Sequence, residues 1–104
     1  MPETRTRLLL SLQRALLGAV PPALRQVSCG WSGTEITLRF VFHGPISDAD
    51  RETAEIASTE VIADFPDPWT ISEQIHRLDQ PADLAATRDQ TTPLLAYLRQ
   101  EPPR

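Results

Sequence analysis

The pattern of apolar residues near the start of the chain predicts an amphipathic helix over Thr4–Leu17. Leu9, Leu12 and Leu16 fall on one helical stripe. It is flanked by three more leucines, Leu8, Leu10 and Leu17. Polar side chains occupy the opposite face, namely Arg7, Ser11 and Arg14. Gly18 is suited to cap the end of this helix, and Pro21 and Pro22 prevent it from continuing.

Strict alternation of apolar and polar residues then predicts a β-hairpin. The apolar positions are Val27, Cys29 and Trp31 in the first strand and Ile36, Leu38, Phe40 and Phe42 in the second. A two-residue turn at Ser32 and Gly33 joins the strands. This turn pairs Cys29 with Ile36, Val27 with Leu38, and Gln26 with Arg39.

A second helix is predicted after Gly44 and Pro45, which end the hairpin. Ser47 is the expected N-cap, and the acidic residues that follow it suit the first helical turn. The inner stripe consists of Ala54, Ala57, Val61 and Phe65. The prolines of the 64–68 segment end the helix.

The rest of the chain predicts two more strands, separated by a long polar loop over residues 79–93. The third strand spans Trp69–Leu78, and the last spans Leu94–Arg99. Residues 1–3 and 100–104 are expected to be loose tails. Together these elements predict a single α+β domain over 1–104, in the order α-β-β-α-β-β, with two helices on one face of a mainly antiparallel four-stranded sheet.

Composition and charge narrow the classes of function. The 104-residue chain carries 14 acidic residues against ten arginines and no lysine, which gives a net charge of −4. This balance disfavours nucleic acid and anionic membranes as partners, because both require a basic surface. The single Cys29 excludes an internal disulfide, and no apolar run reaches membrane-spanning length. We therefore expect a cytoplasmic protein, without a cofactor, in which Cys29 stays reduced.

The residues that could support catalysis or metal binding do not form a recognised set. Cys29 is predicted on the inner face of the hairpin, whereas His43 and His76 point outward from two different strands, beyond the reach that a nucleophile and its base require. Asp48 and Asp50 are explained by helix capping and make no metal-ligand spacing with the histidines. We expect neither a metal site nor a catalytic residue.

Glu73 is the exception among the acidic residues. It occupies a core-facing position between Ile71 and Ile75. Its carboxyl group is therefore either partly buried, or kept in contact with solvent by a bulge or by an edge position of the strand.

One solvent-facing group on the second helix has the character of a small interface. Ile56 points away from the inner stripe and is surrounded by Glu52, Glu55, Thr59 and Glu60. An apolar centre with an acidic rim suits docking of a basic partner protein. The alternative site lies on the solvent-facing side of the sheet and comprises Arg39, His43, His76 and Tyr97.

Several segments, in order, resemble a family of small bacterial proteins. They are 8–18 with 21–25, 46–52, 60–66, 75–79 and 96–99, and together they cover nearly the whole chain. The chain is similar in these segments to immunity proteins of contact-dependent inhibition and related toxin systems. The resemblance implies a protein that binds and neutralises a cognate toxin domain, often a basic nuclease. It provides no catalytic motif to transfer.

Two functions from different classes follow. The first is a non-catalytic protein-binding module, of the immunity type, whose acidic charge favours association with a basic toxin domain. The second is a small-ligand-binding domain or small enzyme that uses the solvent-facing side of the sheet. The sequence leaves open whether the protein is a monomer or a homodimer.

Overall fold

A computed structural model describes residues 2–84 and 90–101 of the chain and confirms the α+β class and the predicted order of elements. The elements are α1 (Pro2–Ala15), β1 (Leu24–Ser32), β2 (Glu35–Phe42), α2 (Asp48–Ala63), β3 (Thr70–Arg77) and β4 (Leu94–Leu98). Helix α1 begins within the tail predicted over residues 1–3, and Gly18 lies in the turn after it with a φ of 73°.

The four strands form one mixed sheet in the order β3-β2-β1-β4. Strand β1 is antiparallel to both β2 and β4, whereas β2 and β3 are parallel. The sheet is therefore mainly antiparallel, as predicted, with one parallel pair that was not predicted. The parallel pair follows from chain connectivity, because the 16-residue helix α2 carries the chain back to the starting end of β2 before β3 begins.

The hairpin of β1 and β2 has the predicted faces but not the predicted register. The turn lies at Gly33 and Thr34, so that Ser32 pairs with Glu35, Cys29 with Leu38 and Val27 with Phe40. Gly33 has a φ of 60°, the backbone conformation that the first position of a type II′ turn demands. Because the pairing shifts by two residues, every side chain stays on its expected face.

The hydrophobic core lies between the two helices and one face of the sheet. It is built from Leu8, Leu12, Ala15 and Leu16 of α1, Ala54, Ala57 and Val61 of α2 with Phe65 after it, Leu24, Val27 and Cys29 of β1, and Ile36, Leu38, Phe40 and Phe42 of β2. The inner stripe predicted for α2 lies in the core throughout. In α1 the stripe is rotated: Leu12 and Leu16 are buried as predicted, but Leu8 and Ala15 take the place of Leu9, which is only partly buried. The two alanines of α2 allow the close packing on the sheet that their small side chains suggest.

The second face of the sheet is covered at its centre, which corrects the expectation of a solvent-facing surface. Gln26, Ser28 and Arg39 are buried there despite their polarity. The segment after β3 returns across this face: Thr91 lies against Gly30, and Thr92 is fully buried. Residues 85–89 of the predicted long loop lie outside the described residues.

A buried arginine connects β1 to the end of the chain. The Arg25 guanidinium donates to both carboxylate oxygens of Glu101, at 2.7 and 2.8 Å. It also donates to the carbonyl oxygens of Leu78 (2.6 Å) and Ala82 (2.9 Å). Arg99 donates to the same carboxylate at 3.1 Å. Glu101, predicted to lie in a loose tail, is thus held between two arginines.

This cluster predicts an acid-dependent loss of stability. The hydrogen bonds that Arg25 donates, together with the positive charge of Arg25, lower the pKa of Glu101 to about 2 from an ordinary value of 4.5. A carboxyl group whose pKa is lower in the folded state stabilises that state above its unfolded pKa, and the effect is lost as the pH falls from 4.5 towards 2. After solvent screening, we expect a contribution of about 1 to 2 kcal/mol.

The measurement is urea unfolding of the wild type and Glu101→Gln at several pH values. The wild type should be more stable at pH 7, and the difference between the two proteins should shrink as the pH falls from about 4.5 to about 2. A difference that stays constant over this range would contradict the assignment.

Candidate partner-binding surface

Helix α2 begins with the cap that the sequence predicts. The Ser47 hydroxyl accepts a hydrogen bond from the backbone N–H of Asp50 at 3.0 Å. Asp48 and Asp50 lie in the first turn, where the partial positive charge of the helix terminus stabilises carboxylates. Their position supports a capping role.

The outward face of α2 presents the predicted docking group to solvent. Ile56 is 51% exposed, a large fraction for an isoleucine in a folded domain. The residues around it are also exposed, namely Glu52, Glu55, Thr59 and Glu60. The Thr59 hydroxyl donates to the Glu55 carbonyl oxygen within the helix at 3.0 Å. The structure therefore brings these five residues onto one accessible helix face.

Helix α2 carries the charge imbalance of the whole chain. It holds five carboxylates and one arginine, Arg51, which leaves nine acidic residues and nine arginines elsewhere. The net charge of −4 is thus that of this one element. This net negative charge creates a local negative field around the helix.

Glu73 extends this negative region to the edge of the sheet. It lies on β3, an edge strand, and pairs with Leu38 in an unbroken register, so no bulge turns it outward. Its carboxyl group points to the helix-covered side, where desolvation and the neighbouring Glu55 raise its pKa; Ser58 and Arg51 oppose that shift. The sequence left open partial burial, a bulge or an edge position for Glu73, and the structure shows the edge position without a bulge.

A groove separates the outward faces of the two helices. Within it the Ser11 hydroxyl donates to Asp64 Oδ2 at 2.6 Å, and Arg14 forms an ion pair with the same carboxylate. These hydrogen bonds lower the pKa of Asp64. One stretch of the groove encloses about 300 Å³ and is lined by Ser11, Arg14, Ala15, Glu60, Ala63 and Asp64. This groove was not predicted from the sequence, although Arg14 and Asp64 flank the inner stripes of their helices.

The structure does not bring the four residues of the alternative site onto one exposed face. Arg39 is only 6% exposed, and Tyr97 pairs with Val27 on the helix-covered side of the sheet. His43 lies after β2, where its Nδ1 accepts from the backbone N–H of Gln80 at 2.9 Å. His76 is exposed on the edge strand β3. The expected solvent-facing cluster of these four side chains was wrong in its geometry.

Cys29 has the environment of a core residue. It is fully buried opposite Leu38, and burial raises the pKa of its thiol to about 12. A thiol with so high a pKa is a poor nucleophile at neutral pH, because the thiolate is the reactive form.

Two further properties concern the described part of the chain. Residues 2–84 and 90–101 contain no group of three or more His, Cys, Asp or Glu side chains placed to hold a metal ion. Neither helix in these ranges has the length and apolar character that crossing a bilayer requires.

The comparisons with known proteins bear on the whole chain. No curated protein matches it. The family model described as MafI2 immunity protein matches residues 5–101, which include every strand, all of α2 and most of α1. This match confirms the resemblance to immunity proteins seen in the sequence. The chain therefore belongs to the MafI2 immunity protein family.

Proposed function

We propose that this protein neutralises a cognate toxin domain by binding to it directly, in the cytoplasm, without catalysing a reaction. Membership of an immunity-protein family supports the toxin as the partner. The buried, high-pKa Cys29 and the separated histidines favour binding over catalysis.

The observation that supports α2 as the binding surface is the exposed side chain of Ile56 within the acidic face of this helix. Interfaces gain affinity from an apolar group that is desolvated at the centre, while a charged rim speeds association and selects the partner. Ile56 supplies the apolar centre, and Glu52, Glu55 and Glu60 supply the rim. We propose that the toxin presents a basic surface with an apolar recess at this contact.

A double substitution tests this surface. We expect Ile56→Asp with Glu60→Arg to weaken the complex with the toxin domain at least tenfold, about 1.4 kcal/mol, because it places a charge at the apolar centre and reverses one in the rim. The toxin domain would first be identified by affinity capture in the native host. It would then be purified, and its affinity measured by calorimetry.

A matched control makes the same chemical changes elsewhere on the surface. In Leu98→Asp with Glu35→Arg, an exposed leucine on β4 and an exposed glutamate at the start of β2 are replaced. This control should bind like the wild type and protect cells that express the toxin. Unchanged affinity in the Ile56 variant, or an equal loss in the control, would place the toxin contact elsewhere. A purified wild type that binds no toxin at all would overturn the proposed function itself.

A further inference from the structure

Strand β3 has a strand neighbour on one side only. It lies at the edge of the sheet, and within residues 2–84 and 90–101 the only strand that pairs with it is β2. Its eight residues extend over about 26 Å in an unbroken register, and they include neither proline nor lysine. Short length, bulges, proline and lysine are the usual protections of an edge strand. The backbone of β3 therefore has the length and regularity that another strand can pair with.

The register decides which residues of β3 point their backbone groups outward. The N–H of Thr70 donates to the carbonyl oxygen of Thr34 at 2.9 Å. The N–H of Leu78 donates to that of Phe42, also at 2.9 Å, so the even-numbered residues are bonded to β2. Backbone groups of successive residues in a strand point to opposite sides. The outward N–H and C=O groups therefore belong to the odd-numbered residues, namely Ile71, Glu73, Ile75 and Arg77.

The side chains beside this edge select the charge of a partner. Glu73 lies in the middle of β3 and interacts electrostatically with Glu55 of α2, whereas Arg77 already pairs with Asp79. Helix α2 carries five carboxylates and one arginine. Two copies of the chain paired along β3 by a two-fold axis perpendicular to the sheet would bring their acidic α2 helices side by side. Like charges therefore oppose self-pairing, whereas a basic strand meets a favourable field.

We propose that an extended basic segment of the toxin domain adds to the sheet along β3 as a fifth strand. This contact rests on the proposed function and deepens it, because it adds backbone hydrogen bonds to the contact with α2. Side chains alternate along a strand, so every second residue of the added strand lies on the helix-covered side, near Glu73 and Glu55. Basic residues are expected at those positions. Glu55 also borders Ile56, so β3 and the outward face of α2 form one continuous surface.

Hydrogen exchange at the β3 amides, followed by NMR, tests the backbone contact. In the protein alone, the amides of the four odd-numbered residues should exchange fast, because they have no strand neighbour. Saturation with the purified toxin domain should slow exchange at Glu73 and Ile75 by about tenfold or more. Docking confined to α2 would leave these amides fast, since they exchange without unfolding of the sheet.

Two substitutions at one position separate the backbone contact from the charge. Glu73→Pro removes an outward N–H, and proline is tolerated in an edge strand where the N–H faces solvent. Glu73→Ala removes the same carboxylate but keeps the N–H. We expect Glu73→Ala to weaken toxin binding about threefold and Glu73→Pro about a further tenfold, because the latter also loses a hydrogen bond and places a ring against the added strand. Calorimetry measures both affinities, and circular dichroism checks that both variants are folded.

The results distinguish failure of the added strand from failure of the proposed function. A toxin domain that binds while the outward amides of β3 stay fast would overturn the added strand and leave the proposed function intact. Equal affinities of folded Glu73→Pro and Glu73→Ala would do the same. Slow exchange at these amides in the protein alone would show that the edge is already occupied, which also overturns the added strand. A wild type that binds no toxin would overturn both. If Glu73→Pro does not fold, exchange in the wild type decides.

Discussion

Replacing Arg25 by methionine is expected to lower the free energy of unfolding by about 3 kcal/mol, the cost of breaking a buried ion pair from one side. The side chain of Arg25 is only 2% exposed. The substitution removes four hydrogen bonds: two to Glu101 and one each to the carbonyl oxygens of Leu78 and Ala82. Methionine fills much of the same volume, so the loss reports the polar contacts rather than a cavity.

The same substitution at an exposed ion pair provides the control. Arg77 pairs with Asp79 at 3.0 Å, but both side chains are about half exposed. Arg77→Met should therefore cost less than about 1 kcal/mol. Urea unfolding followed by circular dichroism measures both changes. Equal losses in the two variants would show that burial of Arg25 adds nothing to its ion pair.

The periodicity of the sequence was sufficient to predict most of the fold, because each element buries one side. Leu12 and Leu16 of α1, like Val27 and Leu38 of the hairpin, are buried on the faces that their spacing predicted. The N-cap Ser47 was predictable for a local reason, since its hydroxyl satisfies a backbone group three residues away. Local hydrogen bonding and burial leave a clear signal in the sequence.

The register of the hairpin was predicted wrongly and the one parallel pair was not predicted, because both depend on how the elements are connected. The register of the hairpin depends on which residue of the turn takes a positive φ, and Gly33 takes it at the first turn position. The parallel pairing of β2 with β3 follows from the helix between them. Both signals were present in the sequence, but the alternating pattern alone does not contain them.

The buried second face was the least predictable part of the structure. Ser28 and Arg39 are polar and alternate with core residues, a pattern typical of a face in water. Both are buried instead, and Thr91 of a distant segment lies against Gly30 on the same face. Periodicity reports which side of a strand faces the helices, but it does not report what lies on the other side. The exposure of Ile56 was easier to predict, because its helical spacing places it opposite the inner stripe of α2.

Gly30, in the middle of β1, lies where the 91–93 segment approaches the second face of the sheet. A Cβ atom at this position would lie 2.1 Å from the carbonyl oxygen of Thr91 and 2.8 Å from Cδ of Pro93. Both distances are shorter than van der Waals contact, and one obstacle is backbone rather than a flexible side chain end. Glycine at this position therefore permits the close approach of the 91–93 segment to the sheet.

Gly30→Ala is expected to cost about 2 to 3 kcal/mol, as overpacking of a closely packed site does. Because the clash is with the 91–93 segment, hydrogen exchange at the Thr92 amide should accelerate more than exchange in α1. The control is Gly33→Ala, where a Cβ meets nothing within 4 Å and the cost comes only from the positive φ. That variant should lose about 1 kcal/mol and leave exchange at Thr92 unchanged. Equal losses of stability in the two variants, with no change in hydrogen exchange at Thr92, would contradict this prediction. The position of the 91–93 segment would then not depend on close packing against β1.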